Sequence, residues 1–343
     1  MKYSYYMILP RDLTRSSPDE IKSRVMEKAV LSIMETFQEN RLKTEFVSSK
    51  KSYSFIVYRF RKLNSQGVTR GRTDRISAEL GEKLGYRPQI SYDVVEELFS
   101  VYIRRTDNCV LEYDDRLKKK RYGGFTFPVP LGKNENNKDV VLDLAELNSI
   151  LINGSSASGR KNLLSLIIRQ YREKMDIFLV DTADTGIFDE YEYDAGVVII
   201  KDTSVLIMIL ERIFRLRLIP FMKNEAPGSV LFVFGSLSLQ NEHDKDDEKA
   251  LECIKIFLEI GEKMGVYMVL SDERIPPLFL ERKYLSLIKC FISFKDDDAV
   301  TSRALLRDGS ALTLFYPEDA LIRIPSWMDT TRFQCYRLQE EKT

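Results

Sequence analysis

At 343 residues the chain is longer than a single hydrophobic core usually grows, so two domains are expected. Its 52 Lys and Arg balance 52 Asp and Glu, which excludes a global basic footprint and leaves only local patches for a nucleic acid. One histidine, His243 in the run NEHDKDDEK, argues against Ser-His-Asp hydrolysis and histidine-held metal, and four scattered cysteines (Cys109, Cys253, Cys290, Cys335) without a CxxC pair argue against zinc or a disulfide framework.

No apolar run approaches the roughly 18 residues of a membrane span, and residues 1–10 are too short and polar for a signal peptide. A cytoplasmic chain with reduced thiols is expected. Ser17-Pro18-Asp19-Glu20 reads as a capping box opening a helix, whose stripe Ile21, Val25, Ala29, Ile33 and Phe37 ends near Asn40. Strands follow at 45–49 and 53–60, then a helix at 73–84 and a strand at 101–105. These elements make a small α+β domain, residues 1–124, closed by the basic run ending at Arg121 and the turn Gly123-Gly124. The run, and the cluster Arg59, Arg61, Lys62, Arg70, Arg72 and Arg75, could touch phosphates without reading sequence.

From residue 125 short apolar runs alternate with helical stretches, as in a mainly parallel sheet covered on both faces. Strands are expected at 149–153, 176–181, 197–201, 229–234, 266–271 and 290–295, with helices at 161–174, 203–218 and 246–264. A hairpin-like stretch at 311–325 ends the domain, and no folded module is expected after Trp327.

The chemistry should sit where the strand at 149–153 meets Gly154-Ser155-Ser156-Ala157-Ser158-Gly159-Arg160-Lys161 and a helix. Small residues there let backbone N–H groups converge on an anion at the positive end of a helix. A phosphate loop then needs a lysine for the phosphates and a serine or threonine for Mg²⁺. Arg160 and Lys161 stand in those places, and an arginine is not equivalent to a lysine point charge. Lys161 could serve as the phosphate lysine only if the loop were one residue longer, which would put Asn162 at the metal position. A two-glycine turn alone is equally compatible with an ordinary strand-to-helix connection.

Over some 250 residues the chain resembles the FtsK/SpoIIIE family of ring-forming DNA motors. Leu131-Gly132-Lys133, Asp143-Leu144-Ala145 and Gly154 through Gly159 match, in order, the family's Leu-Gly-Lys turn, Asp-Leu pair and GxTGSGKS loop. Phe178-Leu179-Val180-Asp181 resembles its next strand, Val266 to Arg274 its strand ending in Ala-Thr-Gln-Arg, and Phe294 with Ser302-Arg303-Ala304-Leu305-Leu306 its later segments. The resemblance implies a RecA-like P-loop motor domain over residues 125–343, a preceding linker domain, ATP or ADP as ligand, and assembly into a hexameric ring around double-stranded DNA. Where the family ends its hydrolytic strand in Asp-Glu, this chain has Gly235-Ser236 after Val230 to Phe234. Neither residue takes a proton or holds a cation, and losing such help typically costs about 10²–10⁴ in rate.

With the lysine, the metal ligand and the carboxylate pair all replaced, the expectation is a catalytically degenerate subunit without Mg²⁺, holding nucleotide weakly or not at all through Gly154–Lys161. It would act as a DNA-binding or regulatory homo- or hetero-oligomeric partner of an active motor. Glu273, Arg274 and Arg303 stand where the family carries sensing or neighbour-facing residues, although an arginine there also fits a surface salt bridge. Two alternatives stay open: an active double-stranded DNA translocase with unorthodox residues, and a protein-interaction scaffold that binds neither DNA nor nucleotide.

Overall fold

The computed structural model describes residues 18–339 apart from 54, 106–109, 121, 224, 226–227, 238, 240–244, 315–316 and 327–329. Side chains are described from residue 28 onward, except also at 70, 118 and 119. The expectations resting on Ser17, Cys109, Arg121, His243 and residues 1–10 therefore lie outside the described residues.

Two compact units divide after Arg104. The first holds α1 (Pro18–Glu39), β1 (Thr44–Lys51), β2 (Phe55–Lys62), α2 (Arg70–Leu84), β3 (Gln89–Asp93) and β4 (Leu98–Arg104). Its antiparallel sheet runs β1-β2-β4-β3. The expected stripe of α1 supplies Ile33 and Phe37 to a core shared with Phe60, Ile76, Leu80 and Phe99. Thr69 caps α2 by accepting from Arg72 N, and Gly85 ends it at φ 77°, a left-handed turn that suits glycine. Three of the six cations in the basic cluster expected to meet phosphates are engaged within this unit. Lys62 pairs with Glu97 at 3.1 Å, Arg75 pairs with Glu79 at 2.8 Å, and Arg72 donates to the carbonyls of Gly67 and Asn40.

The second unit takes in Ser52–Ser54 and then the chain from Arg105, ahead of the Gly123-Gly124 turn where the sequence puts the boundary. The reason is pairing: Tyr113 N donates to Arg337 O and Arg337 N to Leu111 O, and both Leu111 and Tyr113 enter this unit's core. Its further elements are α3 (Arg116–Lys119), β5 (Pro128–Asn134), β6 (Asp139–Asp143), β7 (Ser149–Asn153), α4 (Arg160–Tyr171), β8 (Asp176–Val180), β9 (Val197–Ile200) and α5 (Thr203–Met222). Then come β10 (Val230–Phe234), α6 (Lys245–Met264), β11 (Val266–Asp272), α7 (Arg282–Leu285), β12 (Cys290–Phe294), α8 (Ala299–Leu306), β13 (Asp319–Arg323) and β14 (Thr331–Cys335).

These strands form one ten-stranded sheet ordered β6-β5-β14-β13-β12-β7-β11-β10-β8-β9. The run from β12 to β9 is parallel, and the rest is antiparallel. This is a RecA-like mixed α/β architecture. α4 covers one face with Leu163, Ile167 and Tyr171, while α5 and α6 cover the other with Leu206, Leu210, Ile254 and Phe257. Burial on both faces explains why strands such as VLFVF read as unbroken apolar runs.

The sheet takes in chain beyond the hairpin-like stretch expected at 311–325: β14 lies between β13 and β5 with Phe333 and Cys335 fully buried. TRFQC is too short and too polar to announce a strand, and its burial comes from partners distant in sequence. Gly132 shows the tightness of that seam, since a Cβ there would lie against the carbonyl of Gln334. No helix among the described residues is long and apolar enough to cross a membrane.

Candidate phosphate loop and its surroundings

Parallel order brings the C-terminal ends of β12, β7, β11 and β10 side by side, with Asn153 opposite both Asp272 and Ser293. Ligands of open α/β sheets bind at this edge. The loop Gly154 to Gly159 leaves β7 here and turns into α4, so the expected strand, glycine-rich turn and helix are all in place. Gly159 adopts φ 110°, and a Cβ there would meet the Glu318 backbone at 2.9 Å. Glycine is thus demanded by both the turn and the segment packed on it.

The loop is braced from within. Ser155 N donates to Lys295 O at 3.0 Å, Ser158 N donates to Ser155 O at 3.1 Å, and Ser158 O accepts from Glu318 N at 3.0 Å. Glu318 is held in turn by Arg337 through two bonds of 2.9 Å. Asn153 donates to Asp296 Oδ2 at 2.7 Å.

Arg160 turns inward. Its Nη1 donates to Gly235 O at 3.0 Å and to Ser271 Oγ at 2.8 Å, and its Nη2 meets Glu273 Oε1 at 3.3 Å. The guanidinium therefore bridges the ends of β10 and β11. Burial opposes its charge, while Glu273 and Asp272 favour it. Lys161 goes the other way, to Glu190 at 4.0 Å with its side chain about half exposed. Asn162 clamps the chain after β14, donating to Tyr336 O and accepting from Leu338 N.

The space beside Gly235 is filled by hydrocarbon. A Cβ on Gly235 would stand 2.3 Å from Ile187 Cγ2 and 2.9 Å from Phe188 Cε2. Buried Asp181 places that hydrocarbon by accepting from Thr185 N, Thr185 Oγ1 and Gly186 N, which shapes the turn before Ile187. Asp272 ties the neighbouring strand ends, accepting from Ser236 Oγ, Leu237 N and Arg274 N.

Of the expected site residues, the structure unites the loop, Arg160, Gly235, Ser236 and Glu273. Arg274 and Arg303 have exposed side chains, the latter on α8. Ile187, Phe188, Asp296 and Glu318 join the site with no signal in the sequence, because each arrives from a distant element, and Ser271 lies in a strand that the resemblance marks without its contact to Arg160 being readable there.

No family model matches the chain, and no curated protein matches it in sequence. Solved structures do. The pCW3 conjugation coupling protein TcpA, in a monomer form with ATPγS, superposes with a TM-score of 0.62 at 14% identity, covering 92% of this chain and 96% of that one. The chain has the fold of the FtsK/SpoIIIE-type P-loop ATPases. The cytoplasmic domain of the Thermomonospora curvata type VII secretion ATPase EccC matches at TM-score 0.54 and 18% identity, over 67% of this chain and 31% of that one. EssC ATPases 2 and 3 from Geobacillus thermodenitrificans match at 0.52 and 14%, over 68% and 48%. The chain thus spans less than half the length of these two secretion structures.

An FtsK-type fold implies magnesium nucleotide, and the residues here do not fit the metal. Lys161 occupies the hydroxyl position, Asn162 is committed to the chain after β14, and Gly235 offers no carboxylate. Among the described residues no group of His, Cys, Asp and Glu is placed to hold a metal ion. A phosphate fits in part. Ser158 Oγ and Arg160 Nε are buried without a hydrogen-bond partner, whereas the amides of Ser155 and Ser158 are already bonded inside the fold.

Asp296, beside the loop, offers a pH test. Burial raises its carboxyl above the ordinary value. The native state then keeps this proton to higher pH than the unfolded chain, whose carboxyl titrates near ~3.9, so native stability falls as pH rises through the folded value. Relative to Asp296→Asn, the wild type should lose melting temperature as the pH rises above the ordinary carboxylate value, and then level off, in calorimetric scans. Parallel curves for the two proteins would contradict this assignment.

Proposed function

We propose that this chain is a catalytically silent FtsK/SpoIIIE-type subunit of a DNA-handling or DNA-transfer system, cytoplasmic, acting as a DNA-binding or regulatory partner of an active motor. The observation that carries the reading is Arg160. Its guanidinium is bonded to Gly235 O and Ser271 Oγ at the strand ends where a motor would hold metal and attacking water. In this reading the cation that should face phosphate instead closes the site from inside. Ile187 and Phe188 supply a second, independent obstacle at Gly235. Residues 18–104 act as the linker domain that precedes the motor, and the likeness to TcpA, a conjugation coupling protein, supports a role in transfer. Nucleotide, if held, is held weakly by Gly154–Lys161 without Mg²⁺.

The test is a thermal-shift and calorimetric titration with ATP, ADP and a non-hydrolysable analogue, with and without Mg²⁺, followed by an ATPase assay with duplex DNA. A ligand at 100 times its Kd stabilises a fold by about 2.7 kcal/mol, which such scans resolve. The expected result is no Mg²⁺-dependent stabilisation and no DNA-stimulated turnover. Turnover with duplex DNA would overturn the reading and restore a working translocase.

One observation favours a second reading, a scaffold that binds partners through protein surfaces alone. Lys62 and Arg75 are ion-paired with Glu97 and Glu79, and Arg72 is bonded to the carbonyls of Gly67 and Asn40, which reduces the charge left to meet a phosphate although Arg75 keeps an exposed side chain. DNA binding whose affinity falls steeply with salt would decide for the first reading, and its absence for the second.

A further inference from the structure

α5 is rich in apolar residues, yet of its twenty only Leu206, Ile207, Leu210 and Ile213 are buried, with Ile209, Phe214, Leu218 and Phe221 partly buried against the same core. Exposed apolar residues gathered on one face of a helix mark a surface that a partner can cover. Met208, Arg212, Arg215, Leu216, Ile219 and Met222 recur at spacings of three and four and therefore share one face. On that face Met208, Leu216, Ile219 and Met222 are 60, 64, 61 and 74% exposed. Scattered apolar residues need no explanation, but a continuous stripe along one helix does.

The surroundings continue the stripe. A hollow of about 420 Å³ between α5 and the strands β8 and β10 is lined by Phe178, Ile209, Ile213, Leu216, Arg212 and Arg217. A second, of about 270 Å³, lies between α5 and α6 and includes Phe214, Cys253, Ile256 and Phe257. β9, the edge of the sheet, adds Val198 at 50% exposure. Two hollows flanking a ridge suit the side chains of an incoming helix.

Charge selects among occupants. Arg212 and Arg215 are exposed within the apolar stripe. The nearby carboxylates are Glu211, shared between Lys249 at 2.7 Å and Arg215 at 3.6 Å, and Asp176, which lines the first hollow with Arg212 and Arg217; against Arg212, Arg215, Arg217 and Lys249 they leave the face net positive. Two copies meeting face to face would set arginine against arginine, which is unfavourable. We propose that the outer face of α5 is a docking surface for an acidic amphipathic helix of a protein partner, whose leucine-like side chains enter the flanking hollows and whose carboxylates pair with Arg212 and Arg215. This does not depend on the nucleotide site.

The test uses the full chain and a fluorescein-labelled 18-residue Leu/Glu amphipathic peptide, with a Leu/Lys peptide of the same pattern, read by fluorescence anisotropy. The Leu/Glu peptide should bind at least tenfold more tightly than the Leu/Lys peptide, and the preference should weaken with salt. Arg212→Glu with Arg215→Glu should invert the preference, and Met208→Asn with Leu216→Asn should abolish binding of both, with melting temperatures kept near the parent value. Equal binding of both peptides, or binding of neither, would overturn the proposal. So would co-sedimentation with phosphatidylglycerol vesicles or a concentration-dependent dimer that Leu216→Asn dissolves, since a membrane or a second copy would then be the occupant.

Discussion

Restoring the missing carboxylate by Gly235→Asp should destabilise the protein and leave it without ATPase activity. The new Cβ would lie 2.3 Å from Ile187 Cγ2 and 2.9 Å from Phe188 Cε2, and those residues are set by the Asp181 turn and cannot simply withdraw. Overpacking of this kind typically costs ~1–3 kcal/mol, so Gly235→Ala alone should register. The aspartate adds a charge facing hydrocarbon, for a further ~1–3 kcal/mol or more on the scale of unpaired buried polar groups. For a unit of this size each kcal/mol lowers the melting temperature by about 2–4 °C. The Arg160 guanidinium is bonded through Nη1 to the carbonyl of the same residue and to Ser271 Oγ, so only its Nε is uncommitted as a partner for the new carboxylate. Combining Gly235→Ala with Ile187→Ala should recover much of the loss, because the two changes meet in space and so are not additive. A Gly235→Asp protein as stable as the parent, or one that hydrolyses ATP, would show that the site is open in a way the packing denies.

Arg332→Ala should cost about 3–5 kcal/mol, the range for stripping one partner from a buried ion pair. Arg332 donates to both oxygens of Asp319, at 3.0 and 2.6 Å, with both side chains nearly inaccessible. Without the guanidinium the buried carboxylate of Asp319 loses both of these charge-assisted bonds. The consequence reaches the loop, since Asp319 opens β13 directly after Glu318, whose N–H donates to Ser158 O. Replacing both members, Arg332→Leu with Asp319→Leu, should recover most of the stability, because hydrophobic replacement of a buried pair is often neutral or better. Calorimetric melting of the single and paired variants measures this directly. A single variant within about 1 kcal/mol of the parent would mean that water or a rearranged side chain satisfies Asp319.

Much of the architecture was legible in the residue order, because secondary structure follows local periodicity. The stripe of α1, the apolar runs of β7, β8, β10, β11 and β12 and the glycine-rich turn into α4 all announce themselves over spans of five to twenty residues. The antiparallel end of the sheet was not legible. Pro128 and Pro130 demote β5, and TRFQC carries too little hydrophobic signal to stand as β14. Those strands exist because Gly132 lets the Gln334 backbone approach, a contact between residues some two hundred positions apart.

The candidate site divides the same way. By itself the sequence shows a glycine-rich turn between an apolar strand and a helix, and it puts Arg160, Lys161, Gly235 and Ser236 at the places that the resemblance compares with a phosphate lysine, a metal hydroxyl and a carboxylate pair. It could not decide where Arg160 points. That direction is set by Gly235 O and Ser271 Oγ, 75 and 111 residues further along the chain, which the parallel sheet carries to within hydrogen-bonding distance. Nor could it say why glycine follows β10, a choice imposed by Ile187 and Phe188 arriving from the loop after β8. Short-range periodicity settles which segments are helix or strand, whereas the direction of a side chain and the space around a missing Cβ are decided by neighbours that only folding brings close.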